Sequence, residues 1–168
     1  MRTTNTHTEI LEEVEAKFGF VPNLLREMAR SPAVARAYLD AQAAMEKAIL
    51  SNPERQVVQL AVAVYNDCHY CRAVHRTACA RAGVPAAEVE AIEKGSLPED
   101  ARRRSLVSAT WQVLDTRGWL VAPDLAALEA EGVPRAQVYE VVALIGLKVI
   151  SNYINHVAHT PIDQAFQK

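Results

Sequence analysis

The chain has 168 residues, 50% of them hydrophobic and 23% charged, with a formal net charge of -2. That is enough apolar sequence for one well-buried core and short for two, so a single domain over residues 1–168 is expected. The near-neutral balance excludes a basic field that would gather nucleic acid or anionic lipid, and three cysteines exclude a disulfide framework.

Aromatics are 6%, glycine and proline are sparse, and apolar residues recur at spacings of three and four rather than two. This pattern predicts an all-α fold. The opening M-R-T-T-N-T-H-T-E lacks the apolar core of a secretory signal, and no uninterrupted run reaches the roughly 20 apolar residues of a membrane span. A cytoplasmic chain with no membrane partner is expected. A first helix is predicted near Thr8 to Phe18, ended by Gly19, and a short second one from Pro22 through Met28. Ser31-Pro32 starts a long helix reaching about Ile49. Asn52-Pro53-Glu54 repeats that signal for a helix ending at Tyr65-Asn66. Asp67 is expected to N-cap the next, placing Cys68 in its first turn and ending it at Gly83. Helices are also predicted from Pro85 to Lys94, Asp100 to Arg117, Pro123 to Glu131 and Pro134 to about Ala158. Within the last, Val141 to Ile150 is apolar nearly all round and interrupted only by Lys148. It should be buried at the centre of the domain or in a subunit interface. Gly83 to Val89, G-V-P-A-A-E-V, is echoed by G-V-P-R-A-Q-V at Gly132 to Val138, two similar helix joints.

The chemistry concentrates in D-C-H-Y-C-R-A-V-H, Asp67 to His75. With Cys68 as origin on a helical wheel, Cys71 falls at about 300° and His75 at about 340°, so two thiols and a base share one stripe. A Cys-x-x-Cys pair can close a disulfide, and a neighbouring imidazole can take a thiol proton. The helix dipole contributes only about 0.3–1 kcal/mol, less than one pKa unit, so a base is needed and His75 is placed for it. The dipole favours Cys68 as nucleophile and the base favours Cys71. A hydrogen-bonded base is the stronger activator, which assigns attack to Cys71 and resolution to Cys68. A zinc site from Cys68, Cys71, His75 and Cys79 on one helix is disfavoured, since Cys79 lies about 12 Å beyond Cys71 along a straight helix. Arg72 stands where the histidine of a haem-attachment motif would be. Cys79 reads as a small core hydrophobe.

On these residues the chain resembles the alkyl hydroperoxidase D-like proteins of the carboxymuconolactone decarboxylase superfamily, in particular the peroxidase-related branch. The likeness rests on N-D-C-H-Y-C-R-A-V-H at Asn66 to His75, L-S-N-P-E-R-Q-V-V-Q-L-A-V-A at Leu50 to Ala63, K-F-G-F-V-P-N at Lys17 to Asn23, and N-Y-I-N-H-V-A-H-T-P at Asn152 to Pro161. The resemblance implies an all-helical fold, assembly into trimers or hexamers, and reduction of hydroperoxides. It also implies a peroxidatic cysteine at Cys71, a resolving one at Cys68 and a proton relay through His75. The family relay usually includes a glutamate twelve residues before the first cysteine, where this chain has Gln56. Glutamine can orient a hydrogen-bonding network but cannot accept and return a proton.

Further candidate pocket residues are Tyr70, which stands between the cysteines, and Asn152, Asn155, His156 and His159, which follow helical spacing and are candidates for a polar patch over the thiols. No metal is assigned. Arg102 to Arg104 reads as a solvated helix face. The leading function is a thiol-dependent peroxidase that binds no cofactor and is reset by an external dithiol or protein reductant; the chain has no G-x-G-x-x-G nucleotide motif. Two alternatives are a redox-responsive binding protein with little turnover and a decarboxylase or lactone-type enzyme of the same superfamily.

Overall fold

The computed structural model describes residues 6–167, so the part of the signal reading that falls on the first five residues lies outside the described residues. Among the described residues there are nine α-helices and one 3₁₀ turn, with no strand. α1 (His7–Phe18) begins in a capping box between Thr6 and Glu9 and ends at Gly19, whose φ of 77° is the left-handed conformation a glycine enters without steric cost. α2 (Asn23–Met28) follows Pro22, and α3 (Pro32–Met45) follows Ser31.

α3 stops short of the expected Ile49. The amides of Ile49 and Leu50 donate instead to the carboxylate of Glu140, at 2.6 and 2.9 Å. A tertiary acceptor thus captures donors that a longer helix would have kept, as tertiary contacts regularly override local propensity. α4 (Asn52–Tyr65) is capped by Ser51, one residue before the expected Asn52, in a capping box with Glu54.

At the joint to α5 (His69–Arg81), Asp67 is not the N-cap. Asp67 itself takes a left-handed φ of 50° and Cys68 becomes the capping residue. Cys68 N–H donates back to Ala63 O at 2.9 Å, so the chain turns sharply and starts α5 one position later than expected. Aspartate tolerates this conformation better than most residues.

α6 (Ala86–Glu93), α7 (Ala101–Asp115), α8 (Ala122–Ala130) and α9 (Arg135–Ala158) follow the predicted order, and Gln164–Phe166 forms a 3₁₀ turn. The two Gly-Val-Pro joints are alike in structure: Val84 N–H reaches Cys79 O at 3.0 Å and Val133 N–H reaches Leu128 O at 2.8 Å. Arg102 to Arg104 do not form a solvated face. Arg102 joins Glu54 at 2.6 Å and Gln137 at 2.8 Å, Arg103 joins Glu88 at 2.6 Å, and Arg104 holds Pro98 O at 3.0 Å.

α4 is the central helix, packed on α5, α6, α7 and α9. Its buried Ala63, Val58 and Leu60 each enter a different apolar cluster, so the clusters share one spine. α9 is the second long core element and packs on α2, α3, α4, α5 and α7. By length and composition alone it passes for a membrane span, with a mean hydropathy of 1.4 over its apolar window, although Lys148 interrupts its apolar run as expected. It nevertheless buries Lys148, Ser151, Asn152 and Asn155 beside Leu144 and Leu147, and this polar stripe positions the site.

Candidate thiol site

The sharp turn at Asp67 places Cys68 at the N-cap and Cys71 at the third position of α5, in the same first turn. Both thiols are 1% exposed. α9 crosses over them and presents Lys148, Ser151 and Asn155, at spacings of three and four residues that share one helix face. Asn155 Nδ2 donates to Cys71 Sγ at 3.3 Å and approaches Cys68 Sγ at 3.9 Å. Ser151 Oγ lies 3.9 Å from Cys71 Sγ, and Cys68 Sγ lies 4.0 Å from Asn152 O.

The two thiols titrate in opposite directions. Cys71 is held well below the ordinary thiol range, chiefly by the hydrogen bond from the Cys68 thiol, with the Lys148 charge and the Ser151 hydroxyl adding to it against burial. Cys68 is pushed up by the same hydrogen bond and by burial. Cys71 is therefore the stronger acid and Cys68 the proton-bearing partner.

His75 does not hydrogen-bond either thiol. Its Nε2 lies 2.8 Å from Lys148 Nζ, and its Nδ1 lies 2.9 Å from Gln56 Oε1. An amide oxygen only accepts, so Nδ1 carries the proton and Nε2 accepts from Lys148. The ring is buried, and burial with the Lys148 charge keeps its pKa well below the ordinary histidine value. His75 is a neutral link rather than the base on Cys71, because α9 inserts Lys148 at the imidazole. Gln56 is no mere surface residue: it fixes the tautomer, while its Nε2 is tied to Asn52 Oδ1 at 3.2 Å.

Lys148 is the main element that sequence reasoning missed. Burial pulls its ammonium down most strongly, but the charge of and hydrogen bond to Cys71, together with Tyr38 and Cys68, more than offset this, and its pKa stays above the ordinary value. One signal was available: a lysine inside V-V-A-L-I-G-L-K-V-I, followed at three, four and seven residues by Ser151, Asn152 and Asn155.

The remaining candidates divide. Asn152 is buried next to the thiols and accepts from Asn66 Nδ2 at 2.9 Å. Tyr70 is buried and lines the same cavity as Cys71; its hydroxyl donates to Asp163 Oδ2 at 2.5 Å and accepts from Leu24 N–H at 3.3 Å. His156 and His159 are exposed, His156 stacking on Tyr153, so neither joins a patch over the thiols. Cys79 lies in the apolar core, its thiol pushed up to about 12 by burial. Among the described residues no cluster of three or more His, Cys, Asp or Glu is arranged to hold a metal ion.

Cys71, His75 and Lys148 line a cavity of about 490 Å³. Phe20, Leu24, Leu39, Val74 and Phe166 give it apolar walls, and Arg55 and Arg81 border it. This volume lies within the range of sites for small organic molecules.

The profile of the carboxymuconolactone decarboxylase family matches residues 32–98, a segment that runs from α3 through α6 and includes Gln56, both site cysteines and His75. In three dimensions the chain is similar to a peroxidase-related protein with an alkylhydroperoxidase AhpD core from Ralstonia eutropha JMP134. The TM-score is 0.83 at 20% identity, over 95% of this chain and 86% of that one. A peroxidase-related protein from Silicibacter sp. TM1040 gives 0.82 at 19% identity, over 95% and 85%. The debrominase Bmp8, as a cysteine-to-alanine variant in complex with 2,3,4-tribromopyrrole, gives 0.75 at 16% identity, over 98% and 94%. No curated protein matches the sequence. The fold is that of the AhpD core, and residues 32–98 carry the similarity to the carboxymuconolactone decarboxylase family.

Proposed function

We propose that this protein is a thiol-dependent peroxidase that reduces organic hydroperoxides. The observation that carries the reading is the asymmetry of the buried pair: Cys71, under Asn155 Nδ2 at 3.3 Å and facing an organic-sized cavity, is the acidic thiol, and Cys68 beside it keeps its proton. Cys71 thiolate attacks the peroxide O–O bond, which gives a sulfenic acid and releases an alcohol. The Cys68 thiol condenses with the sulfenic acid, losing water and closing the disulfide. An external dithiol or a reductant or adaptor protein then returns both thiols. The reaction needs no bound cofactor, which suits a cytoplasmic antioxidant enzyme reset by a cellular thiol pool.

Mass spectrometry of alkylated thiols tests this reading after reduced protein meets one equivalent of cumene hydroperoxide. The expected result is a Cys68–Cys71 disulfide formed faster than free cysteine reacts, with Cys79 still reduced. Thiols that oxidise no faster than free cysteine, or a Cys71→Ser variant that consumes peroxide like the wild type, would sink it.

The resemblance to Bmp8 favours a second reading, reductive dehalogenation of a halogenated aromatic by the same dithiol. Halide release from a bromopyrrole or bromophenol, without hydroperoxide consumption, would select it.

A further inference from the structure

Lys148 is 1% exposed and its Nζ lies 2.8 Å from His75 Nε2. A buried ammonium costs several kcal/mol unless an anion and further acceptors face it. The groups that face Lys148 are Cys71 and His75 from α5, its N-cap Cys68, and the Tyr38 phenol from α3. No carboxylate among the described residues lies within ion-pair distance of it. At the position where a glutamate would have offered a competing anion, Gln56 is uncharged and engaged with His75 Nδ1. Cys71 is then the group left to neutralise the ammonium, and Lys148 lines the same cavity as Cys71.

We propose that Lys148 is a catalytic residue of this site: its ammonium pairs with the Cys71 thiolate in the resting protein and gives its proton to the oxygen that leaves when the thiolate cleaves a hydroperoxide. The donation half rests on the peroxidase reading; the ion pair does not. The S–O bond forms as the O–O bond breaks, and the sulfur is oxidised by two electrons. The departing alkoxide takes the Lys148 proton and leaves as the alcohol. Condensation of the Cys68 thiol with the Cys71 sulfenic acid then expels water. In the disulfide state Cys71 carries no charge and Lys148 is a neutral amine, so no unpaired charge is buried. A dithiol reductant surrenders two protons and two electrons; one proton returns to Cys68 and the other to Lys148, and the thiolate reappears. Buried charge stays balanced through the whole cycle. His75, its Nδ1–H fixed by Gln56, holds Lys148 in place as an acceptor.

The test is a thiolate titration of reduced wild type, K148M and K148R, followed by absorbance at about 240 nm and by the alkylation rate of Cys71 with iodoacetamide, an electrophile that needs no proton donor. The wild type is expected to carry one thiolate at neutral pH. K148M should lose it, with neutral-pH alkylation falling about tenfold or more, since each pKa unit is a tenfold change in population. K148R keeps the charge and should retain most of the reactivity. A K148M profile that overlays the wild type overturns the ion pair. Should neither variant fold, as judged by circular dichroism, the wild-type titration decides alone: a thiolate at neutral pH supports the pair and its absence refutes it. A wild type that shows the Lys148-dependent thiolate yet leaves cumene hydroperoxide untouched overturns the peroxidase reading and the donation step, while the ion pair stands.

Discussion

Nδ1 of His75 donates to Oε1 of Gln56 at 2.9 Å, and that contact decides which nitrogen of the ring faces Lys148. Replacing Gln56 with glutamate keeps the shape of the contact but adds an anion behind the imidazole. A second anion near Lys148 competes with Cys71 for the ammonium and repels the thiolate, and both effects raise the Cys71 pKa. Q56E should therefore lower the neutral-pH alkylation rate of Cys71 and move its pH midpoint upward. An increase in alkylation rate would mean that the glutamine is a handicap in this site rather than part of its charge balance.

Asp163 ties the C-terminal segment over the cavity. Its carboxylate accepts from the Tyr70 hydroxyl at 2.5 Å and from the Asn23 amide, the first residue of α2, at 3.1 Å. The ring of Phe166 then packs edge-on against Tyr70 at 6.4 Å and lines the cavity. Asp163→Asn weakens charge-assisted bonds to two partly buried donors, a loss of about 1–3 kcal/mol. The melting temperature should fall, and iodoacetamide should reach Cys71 faster as the strap loosens. Unchanged stability and unchanged access would show that Asp163 does not hold the strap.

The helix order was legible because most starts and stops are local: Gly19, Ser31-Pro32 and the two Gly-Val-Pro joints all act within a turn. What was not legible depends mostly on contacts between distant segments, with one local exception at Asp67. α3 ends early because Glu140 captures the amides of Ile49 and Leu50. Cys68 became the N-cap because Asp67 turned left-handed to close α4. The two thiols and His75 were visible as a stripe, but their neighbours come from α9, far along the chain. Lys148 broke an apolar run for a reason that only the crossing of α9 over α5 reveals. The same crossing leaves His156 exposed, since the stripe that meets the thiols runs through Leu144, Lys148, Ser151 and Asn155, while His159, which would continue that stripe, lies past the end of α9 as its left-handed C-cap with a φ of 48°.

Cys79 should be silent toward small electrophiles. Its thiol is pushed up to about 12 by burial, so its thiolate fraction at neutral pH is on the order of 10⁻⁵. Ellman titration of the reduced native protein should stop short of three thiols within the time that Cys71 reacts fully, and reach three in denaturant. A native count of three at the Cys71 rate would contradict the burial of Cys79.

α9 also presents an outward apolar stripe of Tyr139, Val142, Ile150, Tyr153 and Val157, from 40% to 84% exposed. Their spacings of three, four, seven or eight residues place them along one side of the helix, opposite the buried stripe that carries Lys148. A continuous apolar face of this kind is uncommon on a monomer. With the trimers or hexamers that the sequence resemblance implies as the expectation, we propose that a second copy of this chain covers it. A charge introduced on it must lose its hydration when the copies meet, so Val142→Glu should shift the protein to a smaller species in light scattering at unchanged helix content. The Cys71 titration should be retained in that smaller species, because Lys148, His75 and Gln56 all come from the same chain as the thiol. A wild type that is already monomeric at micromolar concentration would exclude the assembly.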